Sequence, residues 1–203
     1  MFFSLLNGEK LPVEIITRRN SRSIIIHPKF TPARKISVSR PVGAREADII
    51  KFLEFKRKWL SAKFSEVEPL KIKQGDVVIL LGKKYLVEQP TRARFERYVK
   101  LKFMEFAKEQ ICKMGGKCNG TISLKDTTSR WGSCASNGRI AFSWRLAFAP
   151  PEVARYVIAH EFAHLKHFDH SPQFWLEVGR LYGRGWQRAR DWLTDNGQSL
   201  YGV

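Results

Sequence analysis

The chain has 203 residues, 43% hydrophobic and 12% aromatic with six Trp and fourteen Phe, which is enough for a packed core and too apolar for disorder over most of its length. Fourteen Gly and nine Pro without a short repeat exclude collagen-like, coiled-coil and mucin-like chains. The formal charge is +17, spread as 18 basic against 9 acidic residues in 1–90 and 18 against 10 in 91–203, so a polyanionic partner and a charge that merely keeps the surface soluble both stay open.

The N-terminus, Met1-Phe2-Phe3-Ser4-Leu5-Leu6, is apolar but stops at Asn7-Gly8-Glu9-Lys10. It lacks a basic flank and is too short for a signal sequence. No apolar run nears the ~18–20 residues that span a bilayer, so we expect a cytoplasmic protein with no membrane partner. Cys112, Cys118 and Cys134 are odd in number and form no C-x-x-C pair, which argues against a disulfide framework and a thiolate zinc knuckle.

The first third reads as strands, with β-branched runs at Val13–Ile16, Ser23–Ile26 and Lys35–Val38. Helical spacing of Ile49, Ile50, Leu53, Trp59 and Leu60 predicts a helix over 44–64 with a basic face from Lys51 to Lys63. Val77–Leu81 and Tyr85–Val87 flank Gly82-Lys83-Lys84, a hairpin signal rather than a phosphate loop, because the required earlier glycine is missing. A second helix is predicted from about Arg94 to Met114, closed by Gly115-Gly116. Strands near Thr121–Leu124, Arg130–Ala135 and Ile140–Leu146 follow, with Asn137-Gly138 at the turn. Pro150-Pro151 opens a helix expected to reach about His167, Ser171-Pro172 opens another, and a last helix covers about Trp186–Asp195. A β-rich front and a helix-rich back make an α+β fold.

The helix after Pro151 carries His160-Glu161-Phe162-Ala163-His164. Side chains at i and i+4 lie one turn apart on one face, so two imidazoles converge on one ion, and the intervening Glu161 is angled toward a water on it. Zinc takes neutral imidazole nitrogens at about 2.0–2.1 Å and keeps one position open in catalytic sites. His170, six residues beyond His164, is the expected third ligand, with Asp169 a rival and His167 a spare imidazole. The spacing is that of the metzincins, but their glycine is replaced by His167, and Met1, Met104 and Met114 all lie upstream of where a Met-turn would fall. Core-packed histidines and a structural zinc are the bland alternatives. The second is weakened by a donor set of histidines alone beside a carboxylate. His27 stands far upstream and reads as a surface or core residue.

The run Ser129-Arg130-Trp131-Gly132-Ser133-Cys134, the Asn137-Gly138 turn, Trp144-Arg145-Leu146, Ala149-Pro150-Pro151-Glu152 and the stretch from His160 to Trp175 together resemble the YgjP-like metallopeptidases. That family is grouped with SprT-like and other zincin-type peptidases. The likeness extends over nearly the whole chain, including the Leu81–Tyr85 hairpin. It implies zinc (Zn2+) as cofactor, His160, His164 and His170 as its ligands and Glu161 as general base. It also divides the chain into a β-rich region at 1–90 and a zincin-like catalytic region at 91–203, expected to form one integrated domain.

On that picture the protein is a zinc metallohydrolase of the peptidase type, acting on a peptide or protein substrate that pairs with the strand around Trp131. The equal alternative for that stretch is a packed hairpin with Trp131 in the core. Arg130, Arg145 and Tyr156 are candidates to stabilise the oxyanion. Cys134 as a nucleophile is disfavoured because the obvious base serves the metal. Two other readings remain. A metal-dependent nucleoside triphosphate pyrophosphatase would suit the positive surface. A nucleic-acid-associated zinc protein would use the basic Lys51–Lys63 face for nucleic-acid contact.

Overall fold

Leu11 and Val13 are buried while Lys10, Pro12 and Glu14 stay exposed, the period-two signature of a strand with one face in a core. The computed structural model describes residues 1–30, 34–66, 72–116, 122–127 and 130–202; Cys118, Thr121 and Ser129 lie outside the described residues. The chain divides into two compact units, Met1–Leu70 with Tyr201–Val203, and Lys71–Leu200. Strands and helices coexist in an α+β fold.

In the first unit β1 (Phe2–Ser4), β2 (Lys10–Arg18), β3 (Ile25–Lys29) and β4 (Lys35–Pro41) form a sheet ordered β1-β2-β4-β3. β2 and β4 run parallel, with Val13 opposite Ile36, and the two outer strands pair antiparallel. The helix expected over 44–64 is two: α1 (Glu46–Phe55) and α2 (Arg57–Glu66), broken at Lys56. Ile49, Leu53, Leu60 and Phe64 turn into the core with Ile36 and Val38. Lys51 and Lys58 stay in solvent.

The second unit begins with the hairpin β5 (Val77–Leu80) and β6 (Lys83–Leu86), joined by Leu81-Gly82. Both turn residues have positive φ, 49° and 76°, as a two-residue hairpin turn requires, so the turn falls earlier than Gly82-Lys83-Lys84. Leu81 donates its N–H to the Ala147 carbonyl at 2.7 Å, and Val78, Leu80 and Val87 enter the core of this unit. The hairpin therefore belongs to the second unit. In α3 (Arg92–Lys113) every fourth residue, Phe95, Val99, Phe103, Ala107 and Ile111, is buried, and the Thr91 hydroxyl caps it by accepting from the Arg94 N–H.

Next come β7 (Ile122–Lys125), β8 (Gly132–Cys134) and β9 (Ile140–Ser143), ordered β7-β9-β8. β7 runs parallel to β9 and β8 antiparallel, which leaves β8 at an edge. After Ser143 the chain enters a 3₁₀ helix, Trp144–Phe148, instead of continuing as a strand to Leu146. Trp144, Arg145, Leu146 and Ala147 are all buried, and a run buried on every side has no alternation to distinguish strand from helix. The chain closes with α4 (Pro151–Ala163), α5 (Pro172–Tyr182) and α6 (Trp186–Asn196). Among the described residues no helix is long and apolar enough to cross a membrane. Among the described residues Cys134 is a free thiol.

Candidate metal centre

α4 is the hub of the second unit, touching α3, α5, α6 and β8. Val153, Ala154, Tyr156, Val157, Ile158 and Ala159 are all buried along it. On so dry a helix buried polar side chains are costly, and His160 and Glu161 lie in its last turn. The helix stops at Ala163 and not at His167. His164 caps it, and the chain turns through residues 165–171 to start α5 at Pro172. That early stop lets the chain double back and carries His170 to the other two imidazoles.

His160, His164 and His170 each offer a ring nitrogen, and the three atoms lie within 4.8 Å of one another. The Nε2 atoms of His160 and His170 are 3.2 Å apart. Two nitrogens on one tetrahedral zinc sit about 3.4 Å apart when each bond is about 2.05 Å, so the spacing suits such an ion. His164 Nδ1 meets the His167 carbonyl at 2.9 Å. Donation through Nδ1 leaves the Nε2 lone pair of His164 for a metal. Burial first, then the neighbouring His164 and His170, pushes His160 down to about 4, so it is neutral at neutral pH, the state a ligand needs. Its Nδ1 is buried and finds no partner among the described residues. One ring, the fully buried Phe174, packs against all three imidazoles, edge-on to His160 and His170 and tilted to His164, at centroid distances of 4.5–4.9 Å.

Glu161 is 6% exposed. Among the described residues it has no hydrogen-bond or ion-pair partner. Burial pushes its carboxyl up to about 7, opposed by the charge of the exposed Arg130. One turn before His160, Tyr156 presents its ring to that histidine at 5.9 Å. Burial pushes the Tyr156 hydroxyl up to about 12, so it stays a neutral donor.

The other candidates part company here. Arg145 is 2% exposed, pairs with Asp126 and lies over the Trp144 ring at 4.7 Å, which makes it part of the packing. Asp169 stays outside the histidine cluster; the Ser171 hydroxyl and N–H bind its carboxylate and hold it below the usual range. The His167 ring also stays outside, and only its carbonyl contributes. Trp131 is half-buried, packed where a side chain at Gly197 would reach it at 3.2 Å. His27 lies in β3 of the first unit.

A family model described as YgjP-like, metallopeptidase domain, matches residues 88–196, more than half of the chain, and includes the three histidines and Glu161. The chain belongs to the YgjP-like metallopeptidase family. No curated protein matches it. Among solved structures, the metallopeptidase zymogen of Pyrococcus abyssi abylysin is similar over 49% of this chain and 96% of that one, at 22% identity and a TM-score of 0.40.

For this YgjP-like metallopeptidase the sequence reading missed an aromatic wall. Trp186 stacks on Tyr156 at 6.2 Å and on Trp175 at 4.9 Å, and the exposed Arg190 lies over both indoles. Trp175 is 5.8 Å from both His160 and His170. A signal existed for Phe174 alone, which follows His170 by one helical turn.

Proposed function

We propose that the chain is a zinc-dependent metallopeptidase in which His160, His164 and His170 hold the metal and Glu161 is the general base. The observation that carries this reading is the convergence of three imidazole nitrogens within 4.8 Å beside a buried carboxylate that has no partner among the described residues. Three neutral imidazoles are a donor set suited to zinc. When bound, zinc supplies Lewis acidity toward the scissile carbonyl and a water that loses its proton near neutral pH.

Glu161 takes that proton on its carboxylate and returns it to the leaving amine. A carboxylate left unpaired on a dry helix holds protons more readily than an ordinary glutamate, as a shuttle near neutral pH must. Arg130, whose charge reaches Glu161, and Tyr156, a neutral hydroxyl beside His160, are the donors positioned to steady the developing oxyanion. Arg145 is withdrawn from that role by its pairing with Asp126. The edge strand β8 offers unpaired backbone groups beside α4, to which an extended peptide adds as a further strand.

Family membership favours a peptide or protein substrate over a nucleoside triphosphate. The basic residues of α1 and α2 enter no step of this reaction. Hydrolysis of a mixed peptide library by the zinc-loaded protein, with Glu161→Gln alongside, tests the reading. The variant should keep its zinc and lose about 10²–10⁴-fold in kcat. Equal turnover by the two proteins would sink the assignment.

A further inference from the structure

Of the described glycines in the second unit, two leave no room for a side chain. At Gly116 an added Cβ would meet Ile111 and Phe162 at 2.6 Å, a matter of apolar packing. At Gly132 the three nearest atoms all belong to Glu161: Cγ and Oε1 at 2.4 Å and Cδ at 2.7 Å. The proposed general base therefore lies in the space that any other residue at 132 would fill.

The strand around it is fixed. Gly132 pairs with Phe142 and Cys134 with Ile140 across the β8–β9 ladder. The Ser143 N–H donates to the Trp131 carbonyl at 2.8 Å, and the Ala135 N–H to the Arg139 carbonyl at 2.9 Å. The Trp131 indole is packed at Gly197. Alternate residues of an extended chain share a face, and position 132 meets Glu161 by direct contact.

We propose that Gly132 is a positioning residue: its missing side chain is the slot that seats the Glu161 carboxylate against the backbone of β8 and fixes the pose from which it exchanges protons. The proposal rests on the reading of Glu161 as general base. An alanine at 132 meets a rigid strand on one side and the end of a side chain on the other, so the carboxylate yields. The fold survives, and the proton acceptor is displaced.

The test is a cycle of four proteins: wild type, Gly132→Ala, Glu161→Ala and the double variant. Alanine at 161 ends at Cβ and removes all three atoms, Cγ, Cδ and Oε1, that an added side chain at 132 would meet. In metal-free protein Gly132→Ala should lower the melting temperature by roughly 3–8 °C. In the Glu161→Ala background the same change should cost under about 1 °C. With zinc bound, Gly132→Ala alone should lower kcat by about 10²-fold with KM and zinc affinity within about threefold.

Equal melting penalties in both backgrounds would overturn the seat. So would a Gly132→Ala enzyme with wild-type kcat, or one whose loss lies wholly in KM, which would assign Gly132 to substrate pairing. The melting cycle needs neither metal nor substrate. A wild type that cleaves no peptide therefore sinks the peptidase reading while the cycle still decides the seat.

Discussion

Two glutamates near the histidine cluster are treated in opposite ways. On the inner side of α4, Glu161 is buried without a partner among the described residues, and its carboxyl is pushed up to about 7. On α5, Glu177 has a side chain only 11% exposed, yet it accepts from Arg180 at 2.7 and 2.9 Å and from Lys166 at 2.9 Å, and is held down to about 2. A chain with a charge of +17 has cations to spare for its carboxylates. Withholding one from Glu161 costs stability, because a buried unpaired carboxylate is unfavourable. Burial alone thus does not mark a reactive group; burial without compensation does.

The sharpest way to break this contrast is to neutralise each glutamate in turn. Glu161→Gln should abolish most turnover, as above, while its melting temperature equals or exceeds that of the wild type, because an unpaired charge has left the interior. A variant that melts well below the wild type would mean that the Glu161 charge is structurally paired.

Next in size is the metal itself. Zinc at 100-fold its dissociation constant should stabilise the fold by about 2.7 kcal/mol, a rise in melting temperature of roughly 5–10 °C for a chain of this length. His160→Ala should lose most of that rise. A rise of the same size in the variant would remove His160 from the ligand set.

Arg145 supplies the middle case, a buried charge that is compensated. Truncating a buried, paired cation to an apolar residue of similar length removes both the pairing with Asp126 and the packing on Trp144. Arg145→Met should cost about 2 kcal/mol in urea unfolding, less than a fully buried pair would, because Asp126 is 54% exposed. The kcat per folded molecule should be unchanged. A selective loss of kcat in a stable Arg145→Met would return this residue to the oxyanion.

These contrasts also separate what the sequence discloses from what it hides. His160, Glu161 and His164 were legible because their geometry is local: a helix places i and i+4 together wherever it is built. His170 needed one further idea, that the helix ends early, and the break falls at Ala163, before the expected His167. The long helix α3 was legible from its repeat of apolar residues. The 3₁₀ helix at Trp144–Phe148 was not, since uniform burial erases periodicity. Gly132 against Glu161, and the stack of Tyr156, Trp186 and Trp175, join residues distant in sequence, and no spacing rule reaches them. Arg145 and Arg130 looked alike as candidates, and only their surroundings tell a packed cation from an exposed one.

The smallest expected effect belongs to Glu177, and it carries a pH signature. Its folded carboxyl binds a proton less tightly than the same group in an unfolded chain, where the ordinary value is about 4.3. The pairing therefore stabilises the fold fully above about pH 5 and is lost as pH falls through 4 toward 2. Both cations stand largely in water, at 57% and 60% exposure, so screening reduces the gain to about 1 kcal/mol. Lys166 sits in the turn between His164 and His170, and its bond to Glu177 ties that turn to α5. Glu177→Gln should therefore destabilise the protein by about 1 kcal/mol at pH 7 and by well under half of that near pH 2.5, with kcat at neutral pH retained once the protein is folded. Urea unfolding at the two pH values reads this directly. A penalty that persists in full at pH 2.5 would mean that the side chain acts through packing rather than charge, and the opposition between the two glutamates would fail.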